Sequence, residues 1–341
     1  MPERRTRTLL PWTLAFAAFV ASPAPAADGI PAGEDGPTLL LVDRDGGQLV
    51  VVDPVGKAVL GRVPTGEAPH EVAASADGKL AFVANYGTQQ TPGRSISIID
   101  IAARKELRRL DLGALRRPHG LAVVEGKVYF TAEANRVLGR LDPMAGPADV
   151  VDRIIGLGQD LSHMVVASPD GSALYTANMG SNSITGVDRR TGRLNTVAVA
   201  KQPEGIGISP DGKEVWAGSR AAGEITVVDA GSLEVKATIE IACPAYRLLF
   251  TPDGRHVLIP DMGSGSLVVV DPASRKVAKV IDVGGAAGGV VTDRAGRIAY
   301  VALPGGGKVA IVDLGTLSVS GTIPVGSISD GMAWAESAAN D

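Results

Sequence analysis

Short apolar runs recur along the chain, and each ends on a polar turn signal. Leu49-Val50-Val51-Val52-Asp53 and Ile96-Ser97-Ile98-Ile99-Asp100 are two of them. The same Val-Asp ending, or a close variant, returns at Asp142, Asp188, Asp229, Asp271 and Asp313, at intervals of 47, 42, 46, 41, 42 and 42 residues. The runs are rich in Val and Ile, whose branched side chains suit a pleated surface, and none sustains the 3.6-residue period of an amphipathic helix. A second phrase, Ser-Pro-Asp-Gly followed by an apolar run, stands at Ser168–Gly171 and Ser209–Gly212, with variants at Ser75–Gly78 and Thr251–Gly254. Asp-Gly between two strand-like runs predicts a tight hairpin, because both residues tolerate positive φ. The Asp of each Val-Asp ending reads as a turn residue that bonds its own backbone. Seven such aspartates need no catalytic role.

Each repeat therefore predicts four short strands, for which Glu71–Ser75, Leu80–Asn85, Ser95–Asp100 and Glu106–Leu112 serve as the type. A period of about 42 residues with four antiparallel strands is a propeller blade. The first strands of the chain, from Thr38–Asp43, lack an innermost partner, and Gly331–Ala335 is an innermost strand with no blade of its own. Joined, they complete a seventh blade. The expected fold is all-β: a seven-bladed β-propeller over residues 38–341, with one blade closed by both ends of that span.

Composition sharpens this picture. The 341 residues include 43 Gly and 22 Pro but only 4% aromatics, as befits many turns and small strands. One Cys excludes a disulfide framework, a CxxC redox pair, a CxxCH haem attachment and a cysteine-built zinc site. A net charge of −4 argues against nucleic acid as a partner. Arg4, Arg5 and Arg7 precede an apolar stretch from Leu9 to Val20 and then Ala24-Pro25-Ala26. This is the layout of a cleavable signal peptide over residues 1–26, followed by a linker at 27–37. Either Sec or twin-arginine export would serve, and no membrane span is expected after its removal. The expected product is a periplasmic or secreted monomer.

The phrases Ser168-Pro169-Asp170-Gly171 and Leu174-Tyr175-Thr176-Ala177-Asn178, followed by a Val-Asp strand, resemble the YVTN-type propeller repeat. Ala81–Asn85 and Ala299–Ala302 are weaker copies. The resemblance covers nearly all of residues 38–341. It implies kinship with surface-layer and periplasmic propellers, lactonase-like enzymes and cytochrome d1-like haem propellers.

One column of the repeat carries chemistry. Five places before the Ser or Thr of the turn phrase stand His70, His163, Glu204 and Tyr246, and spacing adds His119, Gly288 and Asp330. Three of the protein's four His fall here, in consecutive blades. Imidazole with carboxylate suits a divalent transition metal, so His70, His119, His163 and Glu204 are the candidate ligands. A second column, near the loop after the second strand, holds Asp43, Asn85, Glu133, Asn178, Ser219, Asp261 and Leu303. Asn85, Glu133, Asn178 and Asp261, with Tyr246 and Arg247, are candidate contacts to a small ligand. Arg220 reads as a solvated surface charge, Cys243 as a small buried hydrophobe and His256 as structural.

Four functions fit. The first is a binding or accessory propeller holding a metal or small anion, serving a small ligand or another periplasmic protein. The second is a lactonase-like hydrolase or metal-dependent lyase with Glu204 or Asp330 as base. The third is a cytochrome d1-like haem-handling protein with one of the three His as axial ligand. The fourth is a protein-interaction scaffold.

Overall fold

The computed structural model describes residues 36–146, 150–329 and 331–336. The expected signal peptide lies outside these residues, as does all but the last two residues of the linker and as does Asp330. Twenty-eight strands, numbered β1 to β28 in chain order, form seven four-stranded antiparallel sheets. Blade one is ordered β28-β1-β2-β3, and each later blade takes four successive strands. The innermost strands are β28 (Met332–Ala335), β4 (Pro69–Ala74), β8 (Pro118–Val124), β12 (Ser162–Ala167), β16 (Pro203–Ile208), β20 (Leu249–Phe250) and β24 (Val290–Thr292). They pack on one another around a central axis. The protein is a seven-bladed β-propeller, as the repeat predicts. Among the described residues no helix is long and apolar enough to cross a membrane.

The turn chemistry follows from the repeated phrases. Asp53, Asp100, Asp142, Asp188, Asp229, Asp271 and Asp313 each accept a backbone N–H from two or three residues ahead. In the Ser-Pro-Asp-Gly turn, Ser168 Oγ donates to Asp170 at 2.6 Å and accepts the Ala173 N–H at 2.9 Å. Gly171 sits at φ +68°, a conformation an L side chain would strain.

The core lies between blades. Phe82, Ile96 and Leu110 of blade two meet Val128, Phe130 and Leu141 of blade three, and a comparable buried cluster fills every other blade interface. Burying such side chains supplies roughly 25 cal/mol per Å² of apolar surface. The ring closes through β28 and β1 (Thr38–Asp43), in register Thr38 with Ala335 through Leu41 with Met332. Val42 N–H donates to the Gly331 carbonyl at 2.9 Å, and Ser327 Oγ donates to Asp43 at 2.8 Å.

Candidate metal centre in the channel mouth

Four inner strands open with the same irregularity. Pro69 pairs with Asn85 and Glu71 with Ala84, which leaves His70 as an extra residue. Glu204 is the extra residue between the pairs Pro203–Ser219 and Gly205–Gly218. His119 and His163 lie in matching register shifts, between Pro118 and Leu121 and between Ser162 and Val165. A bulge bends its strand and re-aims the bulged side chain. Each candidate ligand thus sits where the strand departs from its ladder.

Backbone strain marks the same four blades. Two residues before each ligand, Ala68, Arg117, Leu161 and Gln202 hold φ values of 45°, 56°, 48° and 51°. Pro244, Ala286 and Ile328, at the equivalent places in the other blades, hold none in this region. A left-handed non-glycine residue costs about 1–2 kcal/mol. The surrounding bonds maintain it: the four carbonyls accept the N–H groups of Tyr86, Glu133, Met179 and Arg220 at 2.9 to 3.2 Å.

The three imidazoles come together. The rings of His70 and His119 have centroids 4.4 Å apart, and those of His119 and His163 are 3.7 Å apart. Tyr86 stands edge-on to both His70 and His119, with 5.4 Å between centroids. His163 Nδ1 is hydrogen-bonded to Glu133 Oε1, and His163 Nε2 lies 3.5 Å from Glu204 Oε1. The Tyr86 hydroxyl donates to the other Glu133 oxygen at 2.5 Å. Among the described residues, two trios present one ligand atom per residue within 4.8 Å of each other: His70–Glu71–His119 and His119–Glu133–His163. His119 belongs to both.

Burial sets the charges. His119 is fully buried, and both of its ring nitrogens lack a hydrogen-bond partner. Desolvation, reinforced by His163, His70 and the more distant arginines, holds it neutral, well below the usual imidazole range. Burial alone would lower His163 too, but the carboxylates of Glu133 and Glu204 outweigh it and push it up to about 9. Burial would raise Glu204; its bond to His163, with Arg247 and Arg220, holds it below the ordinary value. Burial and the Glu133 carboxylate push the Tyr86 hydroxyl up to about 12.

The residue that follows each position of the column differs between blades. Glu71, Met164 and Arg247 carry side chains there, and Gly120, Gly205, Gly289 and Gly331 do not. A Cβ on Gly120 would meet the His163 carbonyl, Met164 Cα and Val165 N at 2.7 Å. Arg247 Nη2 donates to Glu71 Oε1, and Arg247 Nη1 lies 3.4 Å from Met164 Sδ.

The expected site residues divide accordingly. His70, His119 and His163 converge, and Glu204 adjoins His163. Of the second column, Glu133 alone joins the imidazoles. Asn85 accepts the Gly66 N–H and donates to Ser95 and Ser97, and Asn178 bonds Ser162, Ser183 and Thr185. Asp261 accepts from Gly263 N–H and Ser264. These three satisfy turns and neighbouring strands, which accounts for their polarity. Tyr246 is half-buried, with the Arg220 guanidinium 5.1 Å over its ring. Arg220, read as a solvated charge, also lies 3.3 Å from Glu204 Oε2. Arg247, a candidate contact to a small ligand, donates to Glu71 Oε1. Cys243 is buried in the core between blades five and six, and burial pushes its thiol up to about 11. Glu71 and Tyr86 were not expected at the site. The one sequence sign for Glu71 is a carboxylate where four other blades have Gly.

No family model matches the chain, and no curated protein does. Solved structures do. A protein of unknown function from Desulfotomaculum acetoxidans aligns with 88% of this chain and 99% of its own, with TM-score 0.75 and 10% identity. The periplasmic gluconolactonase PpgL of Pseudomonas aeruginosa aligns with 89% and 99%, with TM-score 0.69 and 19% identity. The dihydro-heme d1 dehydrogenase NirN aligns with 91% of this chain and 77% of its own, with TM-score 0.66 and 15% identity. Identities this low speak for the shared propeller fold alone.

Proposed function

We propose that this chain is an exported, YVTN-type binding propeller that holds a divalent transition metal in its channel mouth. His119, His163 and Glu133 form the central ligand set, with His70 and Glu204 beside it. The observation that carries the reading is His119: a fully buried imidazole with neither nitrogen partnered. Leaving a buried polar group unsatisfied costs about 1–3 kcal/mol, and a metal ion is the natural acceptor of imidazole lone pairs. The strained backbone entering the same four blades supports a site held in place against local preference. The signal-peptide layout of the sequence over residues 1–26 and the likeness to a periplasmic gluconolactonase support export.

A hydrolase reading would use Glu204 or Asp330 as a base, and Asp330 lies outside the described residues; Glu204 is the one placed here. Its carboxylate is already engaged by His163 and Arg220, which favours a ligand-holding role. The test is the metal content of protein purified from a bacterial periplasm without chelators. A first-row transition metal at no less than one equivalent in the wild type, lost in His119→Ala, is the expected result. Protein that carries no metal and takes up none on titration with Zn²⁺, Cu²⁺, Ni²⁺ or Mn²⁺ overturns the proposal. A Soret band would move the reading to haem. Lactone turnover abolished by Glu204→Gln would move it to hydrolysis.

A further inference from the structure

We infer that the channel mouth holds two metal ions bridged by His119. The inference rests on the metal reading above and deepens it. Two candidate trios exist among the described residues, each with two imidazoles and one carboxylate, and His119 is the residue they share. Both of its nitrogens are buried and unpartnered, so neither is reserved for a protein group. A single ion bound at one nitrogen would leave the other unsatisfied at full burial.

The first trio brings its own evidence. His70 Nδ1 is also buried without a hydrogen-bond partner, and it lies 3.7 Å from Glu71 Oε1. Glu71 stands where four other inner strands carry glycine, so its carboxylate is an addition to the ring's basic plan. The second trio is completed by His163, which Glu133 and Glu204 flank. Two N,N,O sets with a common ring therefore lie side by side. Imidazole and carboxylate are the donors that divalent first-row ions accept.

Two protons leave when both ions bind: His163, held protonated between Glu133 and Glu204, releases one to solvent as it takes its ion, and His119 releases the other. Neutral imidazole offers one lone pair and takes the first ion there. The second ion displaces the remaining N–H proton, which passes to solvent, and the imidazolate then donates from both nitrogens. Metals lower the pKa of groups they bind, which drives this loss.

Copper(II) titration into the metal-free, full-length mature protein tests the inference, read by metal stoichiometry and by electron paramagnetic resonance. Two equivalents should bind. The signal should rise up to the first equivalent and fall on the second, because ions coupled through one imidazolate lose paramagnetism together. His70→Ala, which removes a half-buried ring with no hydrogen bond, should bind one equivalent with an undiminished signal. Glu133→Gln should likewise retain the other. Saturation at one equivalent in the wild type, or a signal growing in proportion through two, overturns the bridge and leaves the single-metal proposal standing. Binding of no copper overturns both.

Discussion

Arg247, at the entry to blade six, donates to Glu71 on the inner strand of blade two, and this ion pair reaches across the channel beside the imidazoles of His70 and His119. Both side chains are at most 10% exposed. The imidazole cluster is thus flanked by this charge pair and by Met164.

Breaking that pair should be costly. Arg247→Met strands a buried carboxylate and should lose about 3–5 kcal/mol of stability, read from urea unfolding. The double variant Arg247→Met, Glu71→Met should recover most of the loss, since apolar residues replace a buried pair at little net cost. Equal loss in the single and double variants would show that the pair itself contributes nothing specific.

Gly120→Ala should disturb the centre without replacing a ligand. The new methyl meets three backbone atoms of the neighbouring inner strand at 2.7 Å, so the strand carrying His163 must move. The expected costs are about 1–3 kcal/mol in stability and weaker metal retention in a chelator competition. Unchanged retention would mean that the close approach of β8 and β12 does not set the geometry.

Ring closure should be all-or-none. Deleting residues 329–341 removes β28, leaves the inner edge of β1 unpaired and opens the interface to blade two. Thermal unfolding should lose cooperativity and its midpoint should drop. An unchanged transition would show that the closing strand adds nothing.

Asp43 should make this closure acid-sensitive. Burial would raise its pKa, but bonds from Gln48, the Gly46 N–H and Ser327, with the charge of Arg62, lower it below 3.8. A carboxyl depressed in the folded state contributes stability that is fully present above its unfolded value. That contribution is lost as pH falls through the folded value. In Asp43→Asn the urea midpoint should be lower near neutrality and should fall less steeply below the ordinary aspartate range. Parallel wild-type and variant profiles would exclude this role.

The repeat made the fold legible because blade turns reuse the same short-range chemistry. Asp53 and its six counterparts each accept a backbone N–H from two or three residues ahead, so that part of their role is written locally. His70, His119, His163 and Glu204 were visible as a column because the repeat supplies a register. Glu71 and Tyr86 were not, since each acts through an accident of one blade: a carboxylate in place of glycine and a phenol reaching Glu133. Asn85, Asn178 and Asp261 showed the opposite difficulty. A polar side chain beside a loop has the same signature in sequence whether it bonds the backbone or awaits a ligand. Arg247 was marked by its position, but its counter-ion lies 176 residues away, beyond any local signal.

The closing strand also fixes an order of events. Blade one draws β28 from behind twenty-seven other strands, so as the chain emerges in order β1 waits for its inner neighbour until nearly all of the propeller is present. Until then the ring is an arc with an open sheet edge at Thr38–Leu41, and the seven inner strands cannot yet encircle an axis. A metal that needs ligands from adjacent blades two, three and four can meet them on the arc. The Arg247–Glu71 contact, which reaches from blade six to blade two, becomes geometrically secure only when the circle shuts. Assembly of the ligand cluster and sealing of the channel beside it are therefore separable in time.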